Sequence, residues 1–390
     1  MEADLKQASD EDIALLRRFL HQHPEVSGEE HATARQVTAW LQTCNPQQLL
    51  TQIGHPDGVQ TGVLAVFDSG IAGPTVLFRC ELDALPIQEI NTFDYTSVTQ
   101  GVSHKCGHDG HMSILLSLAR SFAQQPPAAG KALLLFQPAE EDGRGAASVI
   151  RDERFKALHP DFVFAVHNLP GYPRHAVVLK ENAFTSAVTS CIIRLHGTTS
   201  HAAEPELGKN PAMLIAAILQ RMDGLSNNQP EREDFKLITP VHVTMGEKAY
   251  GISAGYGEIH LTLRTWTSRH LENLSDDIRI GIEELSAEAG IPCSFEWTHT
   301  FQANENNEEA MQYVRQAAAI TGSHVMTRDY PFKWGEDFGL FTQLYKGAMF
   351  GIGSGEDCPA LHNPDYDFPD EIAVPVAHLF RTIFDEIVKD

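Results

Sequence analysis

The sequence predicts an α/β fold with a mixed, largely parallel sheet that carries helices on both faces, interrupted by an inserted ferredoxin-like α+β domain. Two observations predict the sheet. Short apolar, β-rich runs alternate with helical stretches, and several runs are apolar on both faces, as buried parallel strands are. A change in element order after about residue 184 predicts the insertion. A chain of 390 residues is also too long for one small core, so two domains are expected.

The N-terminal part begins with two predicted helices and continues with strands. Residues 9–22, SDEDIALLRRFLHQ, predict a helix that Ser9 or Asp10 caps, with acidic residues in its first turn. A second helix is predicted at 28–44, where apolar residues recur at helical spacing. Apolar strands are then predicted at 61–68, 75–80, 131–137 and 161–167, with helices at 108–124 and 144–157.

The middle of the chain follows a different order of elements. Between 184 and 299 the predicted order is β-α-β-β-α-β, which is the ferredoxin-like arrangement. Its strands are predicted at 188–195, 239–247, 257–266 and 291–299, and its helices at 208–224 and 268–289. The α/β pattern resumes after residue 300, with a helix near 305–321. We therefore predict one discontinuous domain, 1–183 with 300–390, and one inserted domain, 184–299.

Charge and composition exclude several classes of protein. With 29 Lys+Arg against 52 Asp+Glu, the formal net charge is −23, which repels nucleic acid and anionic membranes. The first residues, MEADLKQASDED, do not resemble a secretory signal, and no apolar run reaches the roughly 18 residues of a membrane helix. The six cysteines are sparse and form no CxxC pair. These features predict a reduced cytoplasmic protein that binds neither nucleic acid nor a membrane.

Potential metal ligands follow the ends of the predicted strands. Asp83 comes after TVLFRC, and the adjacent acids Glu140 and Glu141 come after KALLLFQ. His167 ends DFVFAVH, and His362 in ALHNPDYDFPDE is a candidate from the C-terminal part. A single histidine at such a position is more often an ordinary core residue. Because ligands of open α/β sheets bind at the carboxyl ends of the strands, however, these segments are expected to converge.

The stretch SHKCGHDGHM at 103–112 is unusually rich in metal-binding side chains. Cys106 and His108 are two residues apart, so both could contact one ion from a loop or a strand end, and thiolate with imidazole suits zinc and similar metals. A second interpretation is a Cys106 nucleophile that His108 or His111 activates. A third is a loop with a buried cysteine, in which Asp109 caps the next helix.

The adjacent pair Glu140–Glu141 favours the metal interpretation. Two neighbouring carboxylates repel each other, so burying both requires a positive partner, which a metal ion supplies. One carboxylate can then bind the metal while the other accepts a proton from metal-bound water. In isolation the pair would be an acidic surface turn. The apolar strand before it and the glycine-rich GRGAA after it argue against that interpretation.

Eight stretches together resemble one family, the N-acyl amino acid amidohydrolase branch of the aminoacylase/carboxypeptidase-G2-like metallopeptidases. That branch includes hippurate hydrolases, auxin-conjugate hydrolases and aminobenzoyl-glutamate hydrolase subunits. The stretches stand in the family order and span nearly the whole chain: RRFLHQHPEVSGEE (17–30), RCELDALPIQE (79–89), HKCGHDGHM (104–112), LLFQPAEEDGRGA (134–146), VHNLPGYP (166–173), HGTTSHAAEPELGKNPA (196–212), WGEDFGLF (334–341) and LHNPDYDF (361–368).

The resemblance implies roles for individual residues. It implies a centre of two divalent metal ions, zinc or manganese, or else cobalt or nickel, with Glu140 as the general base. Asp83 would orient a ligand histidine. His201, on the inserted domain, would stabilise the developing oxyanion, often across a dimer. The metal ligands that it implies are Cys106, His108, Glu141, His167 and His362.

The resemblance also implies an activity and an assembly. The activity is hydrolysis of the amide bond of N-acyl amino acids, with N-acetyl, N-benzoyl or similar acyl groups, by metal-activated water. The inserted domain would act as a lid and would form a homodimer. Arg264 and position 251 would bind the substrate, but Gly251, Ser253 and Ala254 replace the Asn, Ile and Pro of a common Asn-x-Ile-Pro stretch. Glu81 also stands where the family commonly has Asp.

Three alternatives remain open at the level of sequence. A dipeptidase or carboxypeptidase could use the same metal centre, since acyl and peptide substrates differ mainly in the pocket walls. A binding or regulatory subunit could have kept the fold and lost turnover, although Glu140 would then have no purpose. A thiol nucleophile at Cys106 would leave the paired glutamates and His167 unexplained.

Overall fold

The computed structural model describes residues 3–389, which form two compact units. The first unit comprises 3–184, 304–328 and 336–389, and the second comprises 185–303 and 329–335. The second unit extends beyond the predicted segment 184–299 for two physical reasons. Its last strand continues to Phe301, and the backbone amide of Ser186 donates to the carbonyl of Phe332 at 2.9 Å, which ties 329–335 to this unit.

The elements are numbered in chain order. The helices are α1 Asp10–Gln22, α2 His31–Thr43, α3 His108–Gln124, α4 Gly145–Val149, α5 Glu153–Lys156, α6 Ala212–Leu225, α7 Ser268–Ala289, α8 Glu308–Ile320, α9 Gly339–Thr342 and α10 Ala373–Lys389, with 3₁₀ turns at Leu5–Gln7, Pro205–Leu207 and Asp370–Ile372. The strands are β1 Gln48–Ile53, β2 Gly62–Asp68, β3 Thr75–Glu81, β4 Lys131–Gln137, β5 Phe162–Pro170, β6 Val177–Leu179, β7 Ala187–His196, β8 Ser200–His201, β9 Lys236–Met245, β10 Ile252–Ser253, β11 Tyr256–Thr265, β12 Cys293–Phe301, β13 Val325–Thr327 and β14 Lys346–Gly355. Among residues 3–389, every helix is too short or too polar to cross a lipid bilayer.

The first unit is built on an eight-stranded mixed sheet, which confirms the predicted fold class. Its strand order is β1-β2-β4-β3-β5-β14-β6-β13. The four central strands β4, β3, β5 and β14 are parallel to one another, as are β6 and β13. The remaining neighbours are antiparallel. The carboxyl ends of the central strands therefore meet at one edge of the sheet.

Helices cover both faces of this sheet. Because the side chains of successive strand residues alternate between the faces, the apolar strands present hydrophobic side chains to helices on each side. On one face Phe78, Phe164 and Phe350 join α1, α3, α8 and α10 in the main core. On the other face the short helices α4 and α9 contact β4 and β14. Burial of each large apolar side chain contributes about 1.5–3 kcal/mol, so the two-sided core dominates the stability of the unit.

Two predicted helices differ from those observed. The second helix begins at His31 rather than at residue 28, because Gly28 has a left-handed φ of 85° and the buried Glu30 carboxylate accepts from the amide of Ala139 at 2.8 Å. The predicted helix at 144–157 is divided into α4 and α5. Asp152 interrupts it, since its carboxylate accepts from the amides of Gly54 and Arg154.

The second unit has the predicted order β-α-β-β-α-β, with α6 and α7 between the strands. Its strands β12-β7-β11-β9 form an antiparallel four-stranded sheet, in the spatial order of a ferredoxin-like fold. The two helices cover one face, where Leu195, Leu261 and Ile278 belong to a separate hydrophobic core.

Candidate metal centre

The parallel strands bring the predicted ligands to one edge of the sheet. Glu81 ends β3 and is paired with Gln137, which ends the neighbouring strand β4. Arg79 of β3 is paired with Ala165 of β5, so His167 lies at the level of Glu81. The loops that follow these strands carry Asp83 and the pair Glu140–Glu141. The alignment of strand ends therefore places donors from three segments in one layer, as the sequence predicted.

The stretch 103–112 adds two donors through a sharp turn into α3. Gly107 adopts a left-handed conformation with a φ of 95°, and His108 is the first residue of α3. A Cβ at position 107 would lie 2.7 Å from the side-chain amide of Asn168, so only glycine fits there. This close approach positions Cys106 and His108 against the end of β5.

The donor atoms lie at the spacing expected of ligands on shared metal ions. The Sγ of Cys106 is 3.6 Å from Nε2 of His167, and Nε2 of His108 is 3.9 Å from a carboxylate oxygen of Glu141. The other oxygen of Glu141 is 3.9 Å from Nε2 of His362. Two ligands of a tetrahedral zinc ion are roughly 3.3–3.6 Å apart, given bond lengths near 2.0–2.3 Å. The observed separations equal this spacing or exceed it by a few tenths of an ångström.

Two buried atoms at the centre of this cluster have unsatisfied bonding capacity. Nε2 of His108 and Oε1 of Glu141 have no hydrogen-bond partner among residues 3–389. A buried polar atom without a partner costs about 1–3 kcal/mol, so such atoms usually face a water molecule or an ion. Both residues belong to groups of side chains whose potential ligand atoms all lie within 4.8 Å of one another. The residues present thus fit bound metal ions.

The carboxylates of the cluster also require a positive partner. Burial and the charges of Glu336 and Glu141 raise the pKa of Glu140 well above its usual value. Burial is also the main cause that raises the pKa of Glu141 to about 7, against an opposing effect of His108. A cation bound between these groups would remove the excess of negative charge and keep both carboxylates ionised.

Two of the histidines are oriented with Nε2 towards the cluster. Nδ1 of His108 donates to the backbone carbonyl of Asp83 at 2.9 Å, and Nδ1 of His167 donates to the carbonyl of Asn168 at 2.9 Å. In each ring the other nitrogen, Nε2, faces the remaining donors. Burial and the neighbouring His111 lower the pKa of His167 to about 3, so this ring is neutral, as a metal ligand must be.

Burial lowers the pKa of His108, but the hydrogen bond with Asp83 and the charge of Glu81 outweigh it and raise the pKa to about 10. Nε2 of His108 therefore carries either a proton or a metal ion at neutral pH.

Asp83 is a buried carboxylate that supports this arrangement. Its Oδ2 accepts from the Ser27 hydroxyl at 2.7 Å and from the amide of Glu141 at 3.0 Å. Burial alone would raise its pKa, but hydrogen bonding with His108, Ser27 and this amide lowers it. Asp83 thus connects His108 with the Glu140–Glu141 loop and remains ionised.

A buried guanidinium below the cluster was not predicted from the sequence. Arg79 donates to Gln137 at 3.0 Å, to Glu336 at 2.9 Å and to Asp337 at 2.6 Å, and it also contacts Glu81. These charged side chains are at most 1% exposed. The amide of Asp337 faces Oε1 of Glu140 at 3.4 Å, so this network lies directly against the predicted base. In the sequence, the feature that indicates this network is the arginine inside the apolar run TVLFRC.

A second unpredicted set of contacts fixes the end of β5. Nδ1 of His111 is hydrogen-bonded to the carboxylate of Glu81 at 2.6 Å, and Nε2 of His111 lies 2.6 Å from the side-chain oxygen of Asn168. Asn168 in turn donates to the hydroxyl of Tyr366. His111 is thus engaged on both ring nitrogens, and its ring packs against the ring of His167 at 5.0 Å between centroids.

The environment of Cys106 disfavours the thiol-nucleophile interpretation. Burial, together with the negative charges of Glu141 and Glu140, raises the pKa of this thiol well above its usual value. A nucleophilic cysteine needs positive surroundings that lower its pKa. Only a bound cation would make Cys106 a thiolate here, and the sulfur would then be a ligand.

The three remaining predicted residues belong to the second unit. His201 of β8 is paired with Ile252 of β10, and its Nδ1 accepts from the amide of Ala203 at 3.0 Å. Gly251 immediately precedes β10, so the two positions are neighbours within this unit. Arg264 of β11 donates to the carbonyl of Lys333 at 2.6 Å. Their predicted roles towards the substrate stay predictions.

The fold and the site define a class of protein, the metal-dependent hydrolases that combine an α/β sheet with an inserted ferredoxin-like domain. Residues 77–385 match the family model described as peptidase family M20/M25/M40. The chain therefore belongs to this family, and it is a metal-dependent hydrolase that acts on amide bonds.

Individual relatives cover almost all of the chain. It is 30% identical over 368 residues to N-acetyl-L-cysteine deacetylase of Bacillus subtilis, covering 94% of this chain and 85% of that protein. It is 27% identical over 375 residues to an uncharacterised hydrolase of Staphylococcus haemolyticus, covering 94% and 96%. A solved Bacillus subtilis structure, a dinuclear metal binding peptidase of the M20 family, has a TM-score of 0.83 at 23% identity, covering 97% of this chain and 98% of that chain. This similarity confirms the fold.

Proposed function

We propose that the protein hydrolyses the amide bond of N-acyl amino acids with a centre of two divalent metal ions. The observation that carries this proposal is the unpartnered pair of buried atoms, Nε2 of His108 and Oε1 of Glu141, among convergent S, N and O donors. The proposed ligands are Cys106, His108, Glu141, His167 and His362. Mixed ligands of this kind accept zinc or manganese, and also cobalt or nickel.

Each side chain has a task that follows from its position. The bound ions would supply an acidified water and would polarise the amide carbonyl. Glu140 would take a proton from the attacking water and deliver it to the leaving nitrogen, since one of its oxygens lies 3.9 Å from Nε2 of His108 at the edge of the proposed ligand set. Asp83 holds His108 in one tautomer. His201 would stabilise the oxyanion, and Arg264 with position 251 would contact the substrate.

The class of substrate is supported by the relative that is 30% identical, which is named as a deacetylase of an N-acyl amino acid. The alternative is a dipeptidase or carboxypeptidase with the same centre. The replacement of Asn, Ile and Pro by Gly251, Ser253 and Ala254 favours it, because acyl and peptide substrates differ mainly in the pocket walls. An inactive subunit agrees less well with a complete set of ligands and a buried Glu140.

We also propose that two copies associate through the inserted domain. Strand β9 is an edge strand of the four-stranded sheet. Its C-terminal half exposes Val241, Val243 and Met245. An edge strand with exposed apolar residues is a template for pairing with another strand, and a second copy offers the same edge. Light scattering of the wild type should give twice the chain mass. Val243→Glu should shift it towards the monomer, and an unchanged dimer would contradict this interface.

The proposed activity is tested on purified protein with a panel of N-acetyl, N-benzoyl and indoleacyl amino acids and of dipeptides. We expect turnover of acyl substrates, loss of turnover after chelation and recovery with zinc or manganese. Glu140→Gln should remove turnover while two ions stay bound. Cleavage of dipeptides alone would favour the alternative function. Turnover that survives complete removal of metal would refute the proposal.

A further inference from the structure

Lys105, between His104 and the proposed ligand Cys106, is a fully buried cation that the proposed chemistry does not use. Its side chain is 0% exposed. Its Nζ donates to three acceptors: the carboxylate of Glu89 at 2.6 Å, the side-chain oxygen of Asn91 at 2.9 Å and the backbone carbonyl of Tyr366 at 2.8 Å. A buried ammonium must satisfy all three of its donors, and this one does so.

The same residue contacts the segment 362–366 at both ends. The backbone amide of His362 donates to the carbonyl of Lys105 at 2.8 Å, while Nζ of Lys105 binds the carbonyl of Tyr366. Lys105 therefore links the loop that carries Cys106 and His108 to the segment that carries His362.

Asn91, which accepts from the ammonium, and its neighbour Ile90 hold the same segment between its ends. The side-chain amide of Asn91 donates to the carbonyl of Asp365 at 2.9 Å, and the amide of Ile90 donates to the carbonyl of Pro364 at 3.2 Å. The segment is thus held by polar contacts with residues 90, 91 and 105, with the ammonium of Lys105 at their centre.

His362 needs such external support. Its side chain is 52% exposed, so packing restrains it little. Its backbone is left-handed, with a φ of 66°, a conformation that a residue with a Cβ seldom adopts unless its surroundings impose it. A ligand on an unsupported and conformationally unfavourable segment would bind its metal weakly.

We propose that Lys105 is a positioning residue that holds His362 in place for one of the two metal ions, an inference that rests on the proposed function. Its ammonium acts through the 362–366 segment and contacts none of the proposed ligand side chains. The two loops that surround the centre would therefore be coupled through one buried charge, and the ion that His362 binds would depend on it.

The test measures metal binding by calorimetry with zinc and with manganese, in the full chain with Lys105→Met. The matched control is Arg381→Met, which removes another buried cation that bridges α10 to Ser121 and Gln125 away from the site. We expect the wild type and the control each to bind two ions, with affinities that do not differ between the two proteins. In Lys105→Met, one ion should bind normally and the other about 10–100-fold more weakly.

Further measurements separate positioning from a general loss of structure. When cobalt is added, the visible absorption that develops with the second equivalent of cobalt should differ from that of the wild type in Lys105→Met and not in the control. Excess metal should restore kcat. If Lys105→Met does not fold, Asn91→Ala, which removes one acceptor of the ammonium and the contact to Asp365, should weaken the same ion. Two unchanged affinities in these variants overturn the positioning role alone, whereas a wild type that binds fewer than two ions overturns the proposed function as well.

Discussion

Replacing Arg79 with methionine should destabilise the protein strongly, because it removes the guanidinium that contacts three buried carboxylates. Arg79 contacts Glu81, Glu336 and Asp337, all of which are at most 1% exposed, and its Nε donates to Gln137. Removing one partner of a buried ion pair costs about 3–5 kcal/mol, since the opposite charge stays buried without compensation. We therefore expect Arg79→Met to lower the free energy of unfolding by about 3–5 kcal/mol at pH 7.

The loss should depend on pH in a defined direction. Despite burial, Arg79 and His111 keep the pKa of Glu81 well below its usual value. A carboxyl group with a lowered folded-state pKa stabilises the fold above its unfolded pKa of about 4.3, and this contribution is lost as the pH falls through the folded value. Without Arg79 the buried carboxylates can take up protons instead. The difference between wild type and variant should thus shrink between pH 7 and pH 5.

Urea unfolding of the metal-free protein, followed by circular dichroism, measures this loss. Arg381→Met is the matched control, because Arg381 is also a buried cation but its partner Asp385 is 41% exposed. A pair that water screens contributes about 1 kcal/mol or less. Arg79→Lys, which keeps the charge without the planar fork, should recover part of the loss. Equal losses in the Arg79→Met and Arg381→Met variants, or a loss that does not change with pH, would refute this reasoning.

Three further predictions concern the site and its surroundings. Glu140→Gln should lower kcat by about 10²–10⁴-fold, as loss of a general base does, with an unchanged number of bound ions by elemental analysis. Metal binding at pH 7 should release at least two protons per chain, from His108 and Cys106. The raised pKa values of these two groups keep both protonated in the metal-free protein. Calorimetry in buffers of different ionisation enthalpy measures this release. Burial opposes a charge on His21, but its hydrogen bond to Asp109 raises its pKa to about 9, so its stabilising contribution is complete below pH 6.5 and is lost as the pH rises through 9. Urea unfolding at pH 6.5 and pH 9.5 should show that His21→Gln removes part of this decline.

The sequence predicted those parts of the site that stand at the ends of strands or in a dense local motif. Glu141 and His167 were predicted because apolar runs mark the strands and the ends of parallel strands meet. Cys106 was predicted from the dense motif SHKCGHDGHM. The central strand β14 and the last helix α10 were not assigned. β14 is KGAMFGIGSG, in which four glycines obscure the apolar pattern. Those glycines permit close approach, since a Cβ at Gly353 would lie 1.9 Å from the carbonyl oxygen of Pro173.

The supporting charges could not be predicted because their partners are distant in sequence. Arg79 and Asp337 are separated by 258 residues, and Lys105 and Tyr366 by 261. An isolated Lys105 in a loop suggests a solvated side chain, because lysine is seldom fully buried without a partner. Only the fold shows that Glu89, Asn91 and the carbonyl of Tyr366 surround it. The sequence thus identifies candidate metal ligands at the ends of strands and helices. It does not identify the distant residues that compensate a buried charge.

The balance of buried charge explains why two adjacent glutamates can serve different purposes. Six carboxylates lie near the ends of the central strands, and three of them, Glu81, Glu336 and Asp337, contact Arg79. The other three are Asp83, Glu140 and Glu141. Arg79 compensates Glu81, Glu336 and Asp337, whereas burial and neighbouring carboxylates raise the pKa values of Glu140 and Glu141, and bound cations would lower these values. The two oxygens of Glu141 face His108 and His362, which are proposed ligands, whereas Glu140 also faces the amide of Asp337. The same cations that complete the charge balance would therefore bind to Glu141 and leave Glu140 free to move a proton.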